Sequence, residues 1–391
     1  MKFSQLNLKP EIQKALAEMG YEELTPIQEM TFPHILGGKD LLATAETGSG
    51  KTGACGIPLV QRIDPHVNAI QALILVPTRE LALQYVEEIG RIATHLRVVP
   101  FAVYGGFDMG VQKAKLGSGV HVLVATPGRL IDLIYGGKVA LSQVATFVLD
   151  EADEMMKEGF LEDIDFVFSC LIHRHQTLLF SATMPREVRR LAETYLREPV
   201  TVQLNIQQVA PQSLRHQFRF VSPDARLQGL NTVLREEPIQ QAIIFCNSRD
   251  SAERLFLKLN GELQKVDLIH GGMEQSKRSS VIRKLRGRQT RFMVATDLAG
   301  RGLDFTHVSH VINYDFPRSA VTYTHRTGRA GRMGREGTAI TFVTPRDARS
   351  AHRMIESNRL EASWVGKLPA LKPAHPKHRS RHRPRARRRT G

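Results

Sequence analysis

The stretch FVLDEADEMM, residues 147 to 156, runs from an apolar triplet straight into a cluster of acids. An apolar triplet of aromatic and branched residues is typical of a buried strand. Four carboxylates within five residues, from Asp150 to Glu154, repel one another and are costly to desolvate at the end of such a strand. The stretch therefore predicts a sheet edge at which a bound cation neutralises the acids.

A second motif lies earlier in the chain, also directly after an apolar run. The sequence AETGSGKT, residues 45 to 52, matches the phosphate-loop pattern except that Ala45 holds the first glycine position. Its small residues let backbone N–H groups turn around phosphate oxygens at the start of a helix. We expect Lys51 to reach the β and γ phosphates and the Thr52 hydroxyl to bind Mg²⁺. The residues predicted to bind the nucleotide phosphates are Thr47, Gly48, Ser49, Gly50, Lys51 and Thr52.

The acids of the opening stretch acquire roles from this second motif. In phosphate-loop enzymes another strand ends in an acid on the metal side, so Asp150 is predicted to hold Mg²⁺ together with Thr52. Glu151 is predicted to orient and deprotonate the attacking water. Asp153 is expected to accept a hydrogen bond from a Ser or Thr hydroxyl of another segment. Glu154 is expected to be a solvated acid in the first turn of a helix, favoured there by the helix dipole.

Apolar runs rich in Val, Ile and Leu recur along the chain between helical patterns. The first series comprises residues 40–44, 72–76, 121–125, 146–149 and 177–180, and the second comprises 242–246, 266–269, 291–295, 308–313 and 338–343. Continuous apolar strands that alternate with helices indicate parallel sheets covered on both faces. The sequence therefore predicts two α/β domains, residues 1–204 and 213–361, joined by a polar linker at 205–212.

The composition indicates a globular protein of a reducing compartment. The chain has 391 residues, of which 42% are hydrophobic and 24% charged. No apolar run approaches the length that crosses a bilayer, and the first residues lack the apolar core of a signal peptide. Cys55, Cys170 and Cys246 are widely spaced, which argues against a zinc site or a disulfide framework. We predict a cytoplasmic protein without a membrane association.

Positive charge is concentrated at the C-terminal end. The formal net charge is +15, and residues 362–391 contain ten Lys or Arg and no acid. This segment, with four prolines and few large apolar side chains, is predicted to be a disordered basic tail. It could serve only to solubilise the protein, but attraction to nucleic-acid phosphates through counterion release is the favoured use.

The order of these motifs resembles that of the DEAD-box family of ATP-dependent RNA helicases, over roughly residues 3 to 345. The resemblance implies two RecA-like domains, each a mostly parallel sheet flanked by helices, with ATP and Mg²⁺ as cofactors. It implies that Gln28 reads adenine, since an amide offers both a donor and an acceptor, with Phe3 as the aromatic partner. Leu24 and Glu46 depart from the family's usual proline and glutamine.

The resemblance also assigns RNA contacts to segments that follow strand ends. The implied residues are Pro77, Thr78, Arg79, Gly105, Gly106, Thr126, Pro127, Gly128 and Arg129 in the first domain, and Gln275, Arg278 and Thr296 in the second. Hydroxyls, arginines and helix-start amides bind phosphates without reading bases. Taken singly, each segment is better explained as a turn with a helix cap, but their occurrence together and in the family's order favours RNA contact. Gly272 stands where the family commonly has aspartate.

Further residues are implied to connect the two halves. Ser181, Thr183 and His325, together with Asp153, are implied to couple the ATP state to RNA, and Asp304 to face the ribose. Arg329 and Arg332 are implied to approach the γ phosphate from the second domain, where they would complete a catalytic set with Lys51, Asp150 and Glu151. Hydrolysis would then require closure of the cleft between the domains.

The function implied by the resemblance is that of an RNA-stimulated ATPase that unwinds short duplexes or remodels RNA–protein complexes. An ATP-gated RNA clamp or assembly scaffold is an alternative with the same motifs. A non-catalytic RNA-binding protein is disfavoured by the intact acids and arginines, and DNA unwinding by the resemblance. The expected partner is single-stranded or short duplex RNA, bound as a monomer and largely independently of sequence. Ribosome assembly, mRNA decay and cold adaptation all remain open.

Overall fold

A computed structural model describes residues 1–45, 49–204, 214–297, 307–331 and 336–366. The predicted linker at 205–212 lies outside these ranges, as do most of the predicted tail and the side chain of Gln275. Four predicted site residues are also outside them, namely Thr47, Gly48, Asp304 and Arg332.

The first domain contains a sheet of seven parallel strands. The strands are β1 (Leu41–Thr44), β2 (Ala72–Leu75), β3 (Pro100–Val103), β4 (Val122–Ala125), β5 (Thr146–Leu149), β6 (Gln176–Ser181) and β7 (Val200–Gln203). They lie in the order β3-β4-β2-β5-β6-β1-β7. The helices are α1 (Pro10–Glu18), α2 (Pro26–Leu36), α3 (Lys51–Arg62), α4 (Arg79–Ile92), α5 (Met109–Gly117), α6 (Pro127–Tyr135), α7 (Ala152–Lys157), α8 (Leu161–Ser169) and α9 (Arg186–Tyr195), preceded by a short 3₁₀ helix at Phe3–Gln5.

The continuous apolar character of the strands follows from burial on both faces of the sheet. In β5, Phe147 and Leu149 pack into one apolar core, whereas Val148 packs into another on the opposite face. Successive strand side chains point to opposite faces, so a strand covered by helices on both sides needs an apolar residue at every position. These interior strands hold the loops of the site on a rigid support.

The second domain repeats this architecture. Its parallel strands are β8 (Leu214–Phe220), β9 (Ala242–Cys246), β10 (Val266–Ile269), β11 (Phe292–Thr296), β12 (His310–Asn313), β13 (Gly337–Val343) and β14 (Ala362–Val365). They lie in the order β10-β11-β9-β12-β13-β8-β14. The helices described are α10 (Arg226–Glu236), α11 (Arg249–Glu262), α12 (Gln275–Arg286), α13 (Ala320–Thr327) and α14 (Ala348–Ser357). The predicted fold class, two parallel sheets flanked by helices, is confirmed.

The sequence-based boundary of the second domain at residue 361 is wrong. Residues 362–365 form β14, which pairs in parallel register with β8, so the folded part extends at least to Gly366. The ring of Trp364 lies 5.3 Å from that of Phe218 and 5.7 Å from that of His352. An aromatic contact and strand pairing therefore hold a segment whose composition suggested the start of a disordered tail.

The parallel topology brings the loops of the predicted site to one edge of each sheet. Because all strands of a sheet point the same way, their carboxyl ends lie together. The phosphate loop follows β1, the acids follow β5 and the Ser181–Thr183 segment follows β6. No helix in the described ranges has the length and apolar character that crossing a bilayer requires.

Candidate functional site

The end of the phosphate loop is built around a glycine that no other residue could replace easily. Gly50 is the N-cap of α3 and has φ +98°, in the left-handed region. A Cβ atom at this position would lie 2.6 Å from the Thr25 hydroxyl oxygen and 3.2 Å from Nε2 of Gln28. The backbone of the loop therefore runs directly against the start of α2, and the first turn of α3 follows as a potential anion site.

Lys51 is the first residue of α3 and is buried. Its Nζ donates to the carbonyl oxygen of Ala45 at 3.1 Å and lies 3.6 Å from Oδ1 of Asp150. Burial disfavours the charged ammonium, but the negative charges of Asp150, Glu151 and Asp153 outweigh it and raise the pKa of Lys51. Lys51 is therefore a fixed cation between the phosphate loop and the acids.

Asp150 follows β5 and uses both carboxylate oxygens. Oδ1 accepts from the backbone N–H of Glu151 at 2.8 Å, and Oδ2 accepts from the Tyr85 hydroxyl at 2.7 Å. The Thr52 hydroxyl and the Asp150 carboxylate supply oxygen atoms, the donor type that Mg²⁺ prefers. The residues present therefore fit a magnesium site, with Lys51 near the same carboxylate.

Glu151 is held in an unusual backbone conformation. Its φ of +53° is left-handed, which a residue with a side chain adopts rarely. Its carboxyl group is buried, and burial, together with the charge of Asp150, raises its pKa to about 7, although Lys51 and Arg329 act in the opposite direction. A carboxyl group with such a pKa is suited to exchanging a proton near neutral pH.

Asp153 is connected to the segment that follows β6. Its Oδ2 accepts from the hydroxyl of Thr183 at 2.7 Å and from the Thr183 backbone N–H at 3.2 Å. The Ser181 hydroxyl instead accepts from the Asp153 backbone N–H at 3.2 Å. Burial alone would raise the pKa of Asp153, but the Thr183 hydrogen bond and the nearby His325 and lysines lower it. Hydrogen bonds thus join the acid cluster that follows β5 to the segment at the end of β6.

The expectation that Glu154 is solvated is wrong. Glu154 is only 4% exposed, and His325 of the second domain packs on it, with Nδ1 3.4 Å from Oε1. Lys157 Nζ donates to the same oxygen at 2.6 Å. Burial lowers the pKa of His325 to about 4 despite the nearby carboxylates of Glu154 and Asp153, so the imidazole is neutral at pH 7. The first and second domains therefore meet directly at this acid.

Two arginines follow His325, and they differ in role. Arg329 is buried, donates from Nε to the His325 carbonyl at 3.2 Å, and lies close enough to Glu151 to lower its pKa. Arg326 is 1% exposed and donates from Nη2 to Oδ2 of Asp297 at 2.8 Å and to Oδ1 of Asn247 at 2.7 Å. Arg326 therefore anchors α13 to the second sheet. Sequence reasoning missed this residue, since nothing in the motif distinguishes an anchoring arginine from one that faces the cleft.

The predicted adenine-reading residue packs against the phosphate loop. Gln28 is buried, its Oε1 accepts from the Thr25 backbone N–H at 2.9 Å, and its Nε2 donates to the Gly50 carbonyl at 3.3 Å. Phe3 is also buried, with ring centroids 6.1 Å from Tyr21 and 6.3 Å from Phe32. The amide is thus fixed beside the loop, while Phe3 packs within the core of the first domain.

Several predicted RNA contacts line one cavity between the domains. The cavity has a volume of about 330 Å³. It is lined by Pro77, Thr78, Arg79, Glu80, Gly105, Glu151, Glu154, Glu158, Phe160, Arg249, Gly271 and Arg278. Arg79 stacks over the Tyr104 ring at 4.2 Å, and burial lowers its pKa. The cavity thus connects the predicted RNA surface with Glu151 of the acid cluster that follows β5.

Other predicted RNA contacts lie outside the lining of this cavity. They are Gly106, Thr126, Pro127, Gly128, Arg129 and Thr296. Arg129 Nη1 donates to the Phe107 carbonyl at 3.0 Å, which fixes the loop that carries Gly105 and Gly106. Thr296 is the buried last residue of β11. They lie at or directly after strand ends, as the sequence predicted, but they do not line the cavity.

Two ion pairs also join the domains between α4 and α12. Arg278 Nη2 lies 2.7 Å from Oε1 of Glu80, and both side chains are largely buried. Arg286 Nη1 lies 2.9 Å from Oε2 of Glu87 at an exposed position. These ion pairs therefore hold α4 of the first domain against α12 of the second.

Comparisons with known proteins agree with this architecture. Residues 25–191 match the family model described as DEAD/DEAH box helicase, and residues 225–334 match the helicase conserved C-terminal domain. The chain is 41% identical to the DEAD-box ATP-dependent RNA helicase CshA of Geobacillus kaustophilus, over 95% of this chain and 78% of that protein.

Solved structures similar to this chain include two helicases with ligands. S. cerevisiae Dbp5 bound to RNA and ADP BeF3 has a TM-score of 0.86 and 28% identity, over 93% of this chain and 95% of that one. Mss116p, lacking its NTE and C-tail and bound to ssRNA and AMP-PNP, has a TM-score of 0.82 and 26% identity, over 94% and 80%. The sequence match and the two-domain site lead to one conclusion: the chain belongs to the DEAD-box family of ATP-dependent RNA helicases.

Proposed function

We propose that this helicase hydrolyses ATP in a Mg²⁺-dependent centre assembled from both domains, and that RNA stimulates hydrolysis by favouring the closed cleft. The observation that carries the proposal is the contact of His325 with Glu154, together with the charge of Arg329 near Glu151. These residues belong to separate domains, so the centre is complete only when the domains meet. The similarity to Dbp5 bound to RNA and ADP BeF3 supports this arrangement as the active one.

Each side chain has a distinct part in this proposal. Lys51 holds the β and γ phosphates. Asp150 and Thr52 would hold Mg²⁺. A bound Mg²⁺ would neutralise charge on the phosphate oxygens. Glu151 accepts a proton from the attacking water, a role that its raised pKa of about 7 supports.

The arginines of the second domain complete the centre. Arg329, with Arg332 outside the described residues, stabilises negative charge on the γ phosphate. Such arginines contribute about 10³- to 10⁵-fold in other phosphate-loop enzymes. We also assign Gln28, with Phe3 behind it, to the adenine and Asp304 to the ribose.

The RNA is proposed to cross both domains along the cavity and the neighbouring strand ends. Hydroxyls, arginines and backbone amides there are suited to phosphates and 2′-hydroxyls, so binding is largely independent of base sequence. Closure would hold one strand in a shape that cannot pair in an A-form duplex, which strips a few base pairs locally. Asp153, Thr183 and His325 would couple this step to the ATP state.

A second candidate function is an ATP-gated RNA clamp with little unwinding. The two ion pairs between α4 and α12 favour it, because each stabilises the closed state and so extends its lifetime. Strand displacement measured alongside phosphate release distinguishes the candidates. Release of a duplex strand during the phosphate burst supports the helicase, whereas phosphate release without strand displacement supports the clamp.

The test of the proposed centre compares ATP hydrolysis with and without RNA. We expect RNA to stimulate turnover, and Glu151→Gln to abolish turnover while ATP affinity stays within about threefold of wild type. Glu162→Gln, an exposed acid on α8, serves as the matched control and retains full activity. Turnover that RNA does not stimulate, combined with an active Glu151→Gln variant, would overturn the proposal.

The setting of the activity is also a proposal. We expect a cytoplasmic monomer that acts on ribosomal or messenger RNA assemblies, with the basic residues beyond 366 adding affinity for RNA. Crosslinking in cells followed by sequencing of the bound RNA would identify the substrates. Recovery of no RNA above background from the crosslinked protein would contradict this expectation.

A further inference from the structure

A tyrosine in the core of the first domain contacts the acid assigned to the metal side. Tyr85 lies on α4 and is 0% exposed. Its hydroxyl donates to Oδ2 of Asp150 at 2.7 Å and lies 3.8 Å from Sγ of Cys55 on α3. The other oxygen of Asp150, Oδ1, faces the Glu151 N–H and Lys51. One oxygen of this carboxylate thus contacts the core of the first domain, and the other lies toward Lys51 at the start of α3.

The Tyr85 hydroxyl and Oδ2 of Asp150 satisfy each other's hydrogen-bonding capacity. A buried hydroxyl or carboxylate oxygen without a hydrogen bond is costly, and Tyr85 otherwise packs in a core that includes Ile57, Ile89 and Ile92. Burial and the charge of Asp150 raise the pKa of Tyr85 well above its ordinary value. The neutral phenol is therefore the donor of this hydrogen bond, and the Asp150 carboxylate is the acceptor.

We propose that Tyr85 is a positioning residue that fixes the rotation of the Asp150 carboxylate and thereby sets the affinity of the enzyme for Mg²⁺-bound nucleotide. With Oδ2 occupied by the phenol, Oδ1 is presented toward Lys51 and the phosphate loop. The inference rests on the proposed function, in which Asp150 lies on the metal side of the nucleotide. Tyr85 itself contacts neither the nucleotide nor the metal in this scheme.

Loss of the hydroxyl would leave Oδ2 facing Cys55 and aliphatic side chains. The carboxylate would then turn toward other donors, and the orientation that suits a hydrated metal ion would be populated less. Hydrogen-bond partners of metal-binding side chains contribute about ten- to a hundredfold in metal affinity or activity. Tyr85→Phe removes only one oxygen atom and keeps the ring. It should therefore weaken the dependence of nucleotide affinity on Mg²⁺ while it leaves the packing of the core largely intact.

The test is a titration of the full-length protein with fluorescent ADP, in Mg²⁺ and in EDTA. The ratio of the two affinities measures how much the metal strengthens nucleotide binding. We expect Tyr85→Phe to lower this ratio about tenfold or more while the affinity in EDTA stays within about twofold. Tyr323→Phe removes another buried hydroxyl, one that lies 2.6 Å from Nδ1 of His216 in the second domain, and should leave the ratio unchanged.

The outcomes separate this inference from the proposed function. An unchanged ratio in folded Tyr85→Phe would overturn the positioning role while leaving Asp150 as the metal-side acid. A wild-type protein whose nucleotide affinity does not depend on Mg²⁺ would instead overturn that assignment of Asp150.

If Tyr85→Phe folds poorly, a double-mutant cycle based on thermal stability tests the same inference. Tyr85→Phe is compared in the wild-type and Asp150→Ala backgrounds by thermal unfolding. A positioning role through Asp150 predicts that the loss of the hydroxyl lowers the melting temperature less when the carboxylate is absent. An equal loss in both backgrounds would show that the hydroxyl is only structural, and would overturn the inference.

Discussion

Glu151 sits in a backbone conformation that costs stability. A left-handed φ on a residue with a side chain costs about 1 to 3 kcal/mol and persists where the surroundings impose it. Here the Asp150 carboxylate accepts from the Glu151 N–H, and α7 begins immediately afterwards. Glu151 lines the interdomain cavity, near the charge of Arg329. The strained backbone therefore occurs at the residue whose carboxylate accepts a proton in the proposed reaction.

Gly272 gives a residue-scale prediction about the RNA surface. A Cβ at Gly272 would lie 3.1 Å from Nη1 of Arg249, an exposed residue that lines the interdomain cavity. Gly272→Asp would place a carboxylate on that guanidinium and compete with an RNA phosphate. We expect the RNA concentration for half-maximal ATPase to rise about three- to tenfold, and the logarithmic salt dependence to lose about 0.7 in slope.

Two variants control this prediction. Gly272→Asn adds a side chain of the same size without charge and should change the RNA requirement much less. In an Arg249→Ala background, Gly272→Asp should have little further effect, because the cation it neutralises is absent. Identical salt slopes for wild type and Gly272→Asp would contradict a phosphate contact by Arg249.

For single residues, the sequence predicts the type of interaction a side chain makes better than it predicts burial and the contacting partner. Asp153 was expected to meet a hydroxyl, and Thr183 supplies one. Glu154 was expected in solvent, yet His325 from a distant part of the chain covers it. Tyr85 carries no motif and is indistinguishable in sequence from a core residue of α4. Contacts made across long sequence separations, and roles that pass through another side chain, are not encoded in local spacing.

At the scale of elements, the strands with continuous apolar sequence are predictable, including β10 at one side of its sheet, and most other strands near the sides of the sheets are not. Each of the ten predicted apolar runs overlaps a strand, from β1 to β13. The four missed strands, β3, β7, β8 and β14, lie at or next to the sides of the sheets. In β8 polar residues alternate with buried Leu214, His216 and Phe218, because one face is only partly covered. Such strands lack the continuous apolar signal.

Strand β14 gives an element-scale prediction. A chain that ends at Gly366 keeps β14 but loses the basic residues that follow, whereas one that ends at Glu361 loses both. We expect the shorter chain to have a second domain less stable by about 1 to 3 kcal/mol, since β8 loses its pairing with β14 and the Trp364 contact while it keeps its pairing with β13. Hydrogen exchange of the β8 amides measures this difference.

The same pair of truncations separates stability from RNA affinity. Ending the chain at Gly366 should raise the RNA concentration for half-maximal ATPase, because ten basic residues sit beyond Ala362. The rate at saturating RNA should remain close to that of the full chain. Equal protection of β8 in both truncated chains would contradict the assignment of β14 to the folded domain.

At the scale of the whole molecule, the ion pairs between α4 and α12 predict how readily the cleft closes. Glu87→Arg places like charges at the exposed pair with Arg286. Exposed pairs contribute about 0.2 to 1 kcal/mol, so the RNA requirement should rise by no more than about fivefold. The double change Glu87→Arg with Arg286→Glu restores opposite charges and should return it to the wild-type value. A double variant that remains as impaired as Glu87→Arg would refute the contact.

The domain arrangement is also the part of the site that the sequence specifies least. The motifs predict which side chains belong to each half, but not that His325 reaches Glu154 or that Arg278 pairs with Glu80. Those contacts arise only from the docking of two separately folded sheets. The account therefore depends most on whether Arg329 and Arg332, which follow α13 in the sequence, act on the nucleotide held by the other half.

Single-turnover hydrolysis of ATP by Arg329→Ala, at saturating RNA, tests this dependence most directly. The account predicts a rate lower by about 10³-fold, with ATP affinity in the absence of RNA changed by less than about threefold. Arg353→Ala, at an exposed position of α14, is the matched control and should hydrolyse ATP at the wild-type rate. A rate for Arg329→Ala within about tenfold of wild type would contradict a catalytic centre shared between the two domains.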